Sequence, residues 1–315
     1  MKAILFSTIA YNHKMSPHPL SGVYVAAITP CLPDGSLDLA GLPLFLDFLA
    51  NRGCHGALLS GTTGEGPSFS SQERLSLWEA AAVWRKRRPE FRLLAGTGTP
   101  SLSETRELNQ AAFQLGFEAV VVLPPFFFRN ASAEGLFDWF AELMEASVPH
   151  GRFLLGYHIP AVSGVGLSLT LLQRLAAAYP AAFGGLKDSS GSLDSALAFI
   201  AGLPGKAVLV GNDKLLSSTL ATGAAGCITA LANLRSSELR AIYDAFQRGQ
   251  ESPAEQAALD LMRAALDSMP PAPAYIKALL EAQHNFKRWS VRLPLQDLTP
   301  NQTETALQQI QALEQ

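Results

Sequence analysis

The sequence is short of cysteine, of net charge and of long apolar runs, and each shortage closes off a class of protein. Its three cysteines, Cys31, Cys54 and Cys227, are odd in number and far apart in 315 residues. They form no Cys-x-x-Cys pair and no disulfide framework, so a reducing cytoplasm is the simplest setting. Cys54 and Cys227 stand near the starts of apolar segments, where a cysteine usually serves as a small buried filler. Cys31 has no basic neighbour along the chain to make it a nucleophile. The six histidines show no His-Glu-x-x-His or similar ligand spacing, and no metal site is expected. Lys and Arg number 24 against 27 Asp and Glu, a formal net charge of −3. That balance gives no footprint for nucleic acid. The largest basic cluster, Arg85 to Arg88, ends a helical pattern just before Pro89, where cations suit the negative end of a helix. No apolar run approaches the roughly 20 residues of a membrane span. Met1 to Ala10 holds one lysine and a short apolar stretch, interrupted by polar residues and prolines before Gly22. It reads as an N-terminal arm, residues 1–21, rather than a signal peptide.

Short apolar runs recur, with amphipathic stretches between them. Eight strands are expected at Val23–Thr29, Ala57–Ser60, Phe91–Gly96, Ala119–Leu123, Phe153–Tyr157, Phe183–Lys187, Ala207–Val210 and Cys227–Thr229. The helices between and after them should start near Leu39, Ser71, Ser101, Ala133, Leu169, Leu193, Lys214 and Ser236. Ser101-Leu102-Ser103-Glu104 has the pattern of a capping box. The strands are apolar throughout rather than alternating, which suits a parallel sheet buried on both faces. Eight such units read as an α/β fold, a (β/α)8 TIM barrel over residues 22–248. A doubly wound sheet would want a glycine-rich nucleotide loop, and Gly96-Thr97-Gly98-Thr99-Pro100 has the wrong spacing for one. Residues 249–315 read as additional C-terminal helices, broken by Pro270-Pro271-Ala272-Pro273 and apolar enough to pack on the barrel or on another subunit.

Barrel chemistry collects where strands end. Strand 6 ends in Lys187, an amine at the tip of a buried strand. Such an amine can attack a carbonyl as the free base; the alternative is a lysine that snorkels into solvent. Strand 2 ends in Gly61-Thr62-Thr63-Gly64-Glu65-Gly66, whose glycines expose backbone amides and whose hydroxyls flank them, a cradle for a carboxylate. Strand 5 ends in Tyr157-His158, a phenol that can pass protons, with Thr62 able to join it in a relay. His158 is read equally as a mouth residue and as packing behind Tyr157. Asp188 should face away from Lys187 and give support. Gly211-Asn212-Asp213 after strand 7 reads either as a hydroxyl-binding turn or as a helix cap. Ile228 on strand 8 looks like pocket wall. A carboxylate cradle, a phenol and an amine in one pocket suit a 2-oxo acid held as an imine, an electron sink that needs neither metal nor organic cofactor.

With these runs in hand, the chain resembles the dihydrodipicolinate synthase / N-acetylneuraminate lyase family of pyruvate-dependent class I aldolases. The likeness runs from about Gly22 to Leu280. It rests on GTTGE at 61–65, YHIPAVSG at 157–164, GLKDSSG at 185–191 and GND at 211–213, in the family's order. The resemblance implies Lys187 as the Schiff-base lysine and Tyr157 as the relay phenol. It implies Thr62 and Thr63 at the carboxylate and relay positions, with Gly211 and Ile228 lining the pocket; Asp213 is a substrate-binding candidate from the turn after strand 7. Substrates would be a 2-oxo acid and an aldehyde, and the assembly a homotetramer or dimer. In the synthase branch an arginine follows the tyrosine and receives a substrate carboxylate; Val162 stands here. That branch's paired tyrosines after strand 4 are Phe126 and Phe127 here, and phenylalanine carries no proton. The sialic acid lyase branch uses an Asp-Glu pair and a serine, matched here by Asp213-Lys214 and Ala230. GTTGEGPS and Lys187-Asp188 look more like the 2-keto-3-deoxy sugar acid aldolases. A lyase cleaving such an acid to pyruvate and an aldehyde is therefore the expectation. Dihydrodipicolinate synthase, 5-dehydro-4-deoxyglucarate dehydratase, N-acetylneuraminate lyase and an inactive 2-oxo acid binding protein are the alternatives. Arg129 is a candidate for the distal end of the substrate, or a solvated loop residue.

Overall fold

Eight short strands pair in parallel, each with the next in sequence, until the last returns to the first and closes a barrel. They are β1 (Gly22–Ala26), β2 (Gly56–Leu59), β3 (Arg92–Gly96), β4 (Ala119–Val122), β5 (Phe153–His158), β6 (Phe183–Asp188), β7 (Ala207–Val210) and β8 (Gly226–Thr229). The computed structural model describes residues 18–313, so most of the expected N-terminal arm lies outside the described residues. Around the barrel run α1 (Leu42–Asn51), α2 (Ser71–Arg85), α3 (Leu102–Gln114), α4 (Ala133–Ser147), α5 (Pro160–Ser163), α6 (Leu169–Ala178), α7 (Leu193–Gly202), α8 (Leu216–Leu220) and α9 (Ala232–Gln247). Three more helices follow: α10 (Pro253–Ser268), α11 (Ala272–His284) and α12 (Pro300–Leu313). The barrel with added C-terminal helices is the architecture expected from the sequence.

The near-continuous apolar strands are explained by two distinct cores. Tyr24, Leu58, Leu94, Val121, Leu155, Leu209 and Ile228 fill the barrel interior. Their strand neighbours, such as Val23, Val25, Ala57, Leu59 and Val120, face the helices and join a larger outer core. Side chains alternate along a strand, so a strand apolar on both faces must be covered on both. Leu259, Met262, Leu266, Ile276, Leu279 and Ile310 extend the outer core into α10, α11 and α12. No helix among the described residues is long and apolar enough to cross a membrane.

Element edges moved where side chains took over backbone bonds. β1 stops at Ala26 rather than Thr29, because the amide of Ile28 donates to Asn233 Oδ1 at 3.0 Å and Thr29 Oγ1 donates to the carbonyl of Gly64 at 2.6 Å. Those bonds turn the chain out of the ladder toward the mouth. α9 begins four residues before the expected Ser236, but Arg235 is non-helical (φ −127, ψ 37), so a kink sits just before it. The capping box expected at Ser101 is only half made. Ser101 Oγ accepts from the Glu104 amide, but Glu104 Oε1 accepts from Ser71 Oγ across to α2. A full capping box occurs instead at Ser70 and Glu73, opening α2.

Candidate active site

The C-terminal mouth of the barrel brings Lys187, Tyr157 and Thr62 together. Tyr157 and Lys187 are register partners on β5 and β6, so their side chains point the same way, into the barrel. Lys187 is 3 % exposed, and its Nζ lies 4.2 Å from the centroid of the Tyr157 ring. It does not snorkel. The Tyr157 hydroxyl is 3.1 Å from Thr62 Oγ1, so the two hydroxyls expected to form a relay lie within hydrogen-bond distance. Burial pushes the Tyr157 phenol up; the Lys187 charge and hydrogen bonds with Thr62, Lys187 and Ser189 outweigh it and hold the phenol below the usual tyrosine range. A phenol so placed gives up and regains a proton more readily.

The threonine turn is held in an unusual backbone shape. Ser60 (φ 53) and Glu65 (φ 55) bracket it, both non-glycine residues in the left-handed region. Such residues persist where the surroundings over-determine them. Ser60 Oγ accepts from Trp78 Nε1 of α2 at 3.1 Å. Glu65 accepts from Lys277 Nζ of α11 at 2.6 Å and from the Arg292 amide at 2.6 Å, and Lys277 also donates to the carbonyl of Ser290 at 2.7 Å. Glu65 is 3 % exposed and Lys277 1 %. Held in this way, the amides of Thr62 and Thr63 meet no acceptor among the described residues. Two adjacent orphan amides make a concavity for an anion. These two amides lie where the sequence reading placed a carboxylate cradle, and the Thr63 side chain beside them is half-buried.

Other expected residues divide. Ile228 is fully buried in the barrel interior. Gly211 ends the pocket side of β7, and a Cβ there would collide with Ser189 Oγ. Its smallness is what lets Ser189 turn toward Tyr157. Ser189 was not singled out from the sequence; the serine two residues after Lys187 was the available signal. Asp213 does not reach the pocket. It is fully buried, and Arg263 Nη1 of α10 lies 3.0 Å from its Oδ2. Burial pushes its carboxyl up, with Arg263 and Thr229 pulling the other way. The cap reading of the Gly-Asn-Asp turn holds for Asn212, whose Oδ1 accepts from the Lys214 amide at 3.1 Å. A substrate-binding role for Asp213 is thus replaced by a structural one, because α10 supplies the guanidinium that consumes it.

His158 and Asp188 are also register partners, one residue on, so both face the helices. His158 Nδ1 accepts from the Leu167 amide at 2.9 Å and its ring packs on Phe199, the behind-the-tyrosine reading. Asp188 Oδ1 accepts from the Ser190 amide at 2.9 Å, which fixes the turn after Lys187 and fits a supporting role. Arg129 is exposed and lies against Gly164 beyond α5. Val162 is 64 % exposed at the mouth, and Phe127 and Phe128 are 75 % and 67 % exposed. No group of three or more His, Cys, Asp or Glu among the described residues is placed to hold a metal ion.

Comparison with known proteins agrees with the fold. A model of the dihydrodipicolinate synthetase family matches residues 19–313. An uncharacterised DapA-like lyase of Chloroflexus aurantiacus is 38 % identical over 88 % of this chain and 92 % of its own length. A 4-hydroxy-tetrahydrodipicolinate synthase of Corynebacterium urealyticum is 34 % identical over 76 % of this chain and 77 % of its own. Among solved structures, YagE of Escherichia coli K12, in complex with pyruvate, superposes with a TM-score of 0.88 at 24 % identity, covering 94 % of this chain and 99 % of that one. That likeness is one of fold. Acinetobacter baumannii dihydrodipicolinate synthase, complexed with pyruvate, has a TM-score of 0.84 at 26 % identity, covering 93 % and 99 %.

Proposed function

The chain belongs to the dihydrodipicolinate synthetase family, and from that premise we propose that it is a Schiff-base-forming class I lyase that joins or splits pyruvate and an aldehyde. The observation that carries the reading is the meeting of the buried Lys187 amine, the Tyr157–Thr62 hydroxyl pair and the orphan amides of Thr62 and Thr63 in one mouth.

In the cleavage direction the amides hold the 1-carboxylate of the 2-oxo acid. Lys187 Nζ attacks the keto carbon, Tyr157 passes the proton to the departing hydroxyl, and one water leaves as the imine forms. The protonated imine takes up the electron pair of the breaking C3–C4 bond. The C4 hydroxyl gives its proton to the Tyr157 phenolate and an aldehyde departs. The enamine left behind is protonated at C3, and a water molecule hydrolyses it to pyruvate and the free amine. Thr62 keeps the phenol oriented through both proton transfers. No cofactor other than the lysine is needed.

Two substrate readings remain in competition, each with its own support. The names of the curated relatives favour 4-hydroxy-tetrahydrodipicolinate synthesis over cleavage of a 2-keto-3-deoxy sugar acid. Against the synthase reading stand Val162, where the resemblance implies an arginine, and Phe126 and Phe127, where it implies tyrosines. The test is in two parts. Borohydride in the presence of pyruvate should fix one reduced pyruvyl group on Lys187, absent in Lys187→Ala; an unmodified protein beside a trapped control enzyme overturns the imine. Pyruvate release from 2-keto-3-deoxy sugar acids is then set against pyruvate consumption with aspartate 4-semialdehyde. Turnover of the second alone makes the chain a synthase with a rerouted relay.

A further inference from the structure

On the helix side of β5 and β6, behind Tyr157 and Lys187, sits a second pair of ionisable groups that the imine chemistry does not use. His158 Nδ1 accepts from the Leu167 amide at 2.9 Å, and a Cβ on Gly166 would stand 3.3 Å from its Cε1. The ring is thus a staple across residues 159–166. Its register partner Asp188 is 3 % exposed. Asp188 Oδ1 accepts from the Ser190 amide, while Oδ2 is shut from solvent and meets no donor among the described residues. A buried carboxylate oxygen without a donor is costly and asks for a proton-bearing partner.

The stapled segment frames one side of the mouth. Ile159 packs on the interior core, α5 follows, Val162 stands exposed at the rim, and Arg129 lies against Gly164. At its root the His158 carbonyl accepts from the Ser189 amide at 2.7 Å, one position after Asp188. Ring and carbonyl together tie the loop to the strand tips that carry Tyr157 and Lys187.

The staple has a protonation requirement. An imidazole nitrogen that accepts an amide N–H must be bare, so the ring is neutral with its proton on Nε2. A protonated ring carries N–H on both nitrogens, and the Leu167 amide would then face a second donor. Burial disfavours the imidazolium, while the Asp188 charge favours it. The other groups packed on the ring, Phe199 of α7, Gly166 and the Leu167 amide, do not titrate, and Lys187 points away into the barrel. Two arrangements are therefore open to the pair: a neutral ring on Leu167, or an imidazolium on the unpaired Asp188 oxygen.

We propose that His158 is a positioning residue that sets the mouth loop for catalysis only while its ring is neutral, and that Asp188 is the acceptor that takes the ring when it is protonated. The inference rests on the imine reading and adds its regulation: the mouth loosens in acid through a group that touches neither substrate nor the reacting atoms.

Two measurements test it, and the first needs no substrate. Hydrogen exchange read by mass spectrometry follows peptides covering residues 159–167 between pH 4.5 and 8, corrected for the intrinsic rate. In wild type their protection should step down as pH falls below about 6.5, the ordinary histidine value, while peptides of β1 keep theirs. A profile without that step overturns the proposal and needs no variant to fold. Pyruvate trapping with cyanoborohydride over the same range reads the pocket. Lys187 and Tyr157 bear on that profile too, so wild type is set against variants. His158→Asn places an oxygen that does not titrate where Nδ1 stood. Relative to its own rate at pH 8, it should trap about fivefold or more faster than wild type at pH 4.5. His158→Phe keeps a ring without an acceptor and should already trap weakly at pH 8. Asp188→Asn still accepts from Ser190 but lacks the charge, and should move the acid loss to lower pH. Superimposable profiles for wild type and His158→Asn overturn the proposal, and so does a His158→Phe chain that traps like wild type at pH 8. Failure of wild type to trap pyruvate at any pH is a different result: it overturns the imine reading, whereas a flat exchange profile overturns this inference alone.

Discussion

Replacing Lys277 with methionine tests whether the C-terminal helices hold the threonine turn in its working shape. Methionine keeps most of the volume of the lysine stem, so the change is chiefly one of charge and hydrogen bonding. It removes the 2.6 Å bond to Glu65 and the 2.7 Å bond to the Ser290 carbonyl. Glu65 is left 3 % exposed with the Arg292 amide as its remaining donor, on a backbone already at φ 55. Removing one partner of a buried pair costs about 3–5 kcal/mol, because the other charge stays behind. A chain of this length gains roughly 2 cal/mol/K per residue on unfolding, so each kcal/mol moves the melting point by about 1.5 °C. Lys277→Met should therefore melt ~5–8 °C below wild type in calorimetry. The pyruvate concentration for half-maximal trapping should rise as the Thr62 and Thr63 amides lose their clamp. Adding Glu65→Gln to the same chain removes the stranded charge and should restore more than half of the loss, the coupling expected of residues in contact. A single variant that melts within about 1 °C of wild type, or a double variant no better than the single, refutes the argument that this pair holds the turn.

Tyr157→Phe removes the relay hydroxyl but keeps the ring under Lys187, and turnover should fall about 10²- to 10⁴-fold with little change in pyruvate half-saturation; equal losses in both would make Tyr157 a binding residue. Gly211→Ala drives a Cβ into Ser189 Oγ, so turnover should drop while the melting point shifts only modestly, and unchanged turnover would mean Ser189 has no part in orienting the phenol. Asp213 has its carboxyl raised by burial, so the folded state binds a proton more tightly than the unfolded one. Its contribution to stability thus declines as pH rises from about 4 through the folded-state value. Asp213→Asn should flatten that part of a urea-melt series taken at stepped pH; an unaltered slope would assign it to other groups.

What the sequence determined by itself was the alternation of buried strands and amphipathic helices, and with it the barrel. It also determined the residues at the strand tips. Apolar runs of strand length, capped by turn chemistry, carry that information locally. Tyr157, Lys187 and Ile228 could be assigned to one mouth because parallel strands of a closed barrel all end on the same face. The partners that decide what each tip residue does were not legible. Glu65 finds Lys277 212 positions away. Asp213 finds Arg263 on a helix after the barrel has closed, which turns a candidate substrate ligand into a buried ion pair. Arg74 reads locally as an ordinary helix cation, and only the packing of the tertiary structure buries its Nε and Nη1 with no acceptor among the described residues. Periodicity records which way a side chain faces, because that follows from the backbone repeat of one element. Which charge meets which depends on how separate elements pack, and no local pattern of residues carries that.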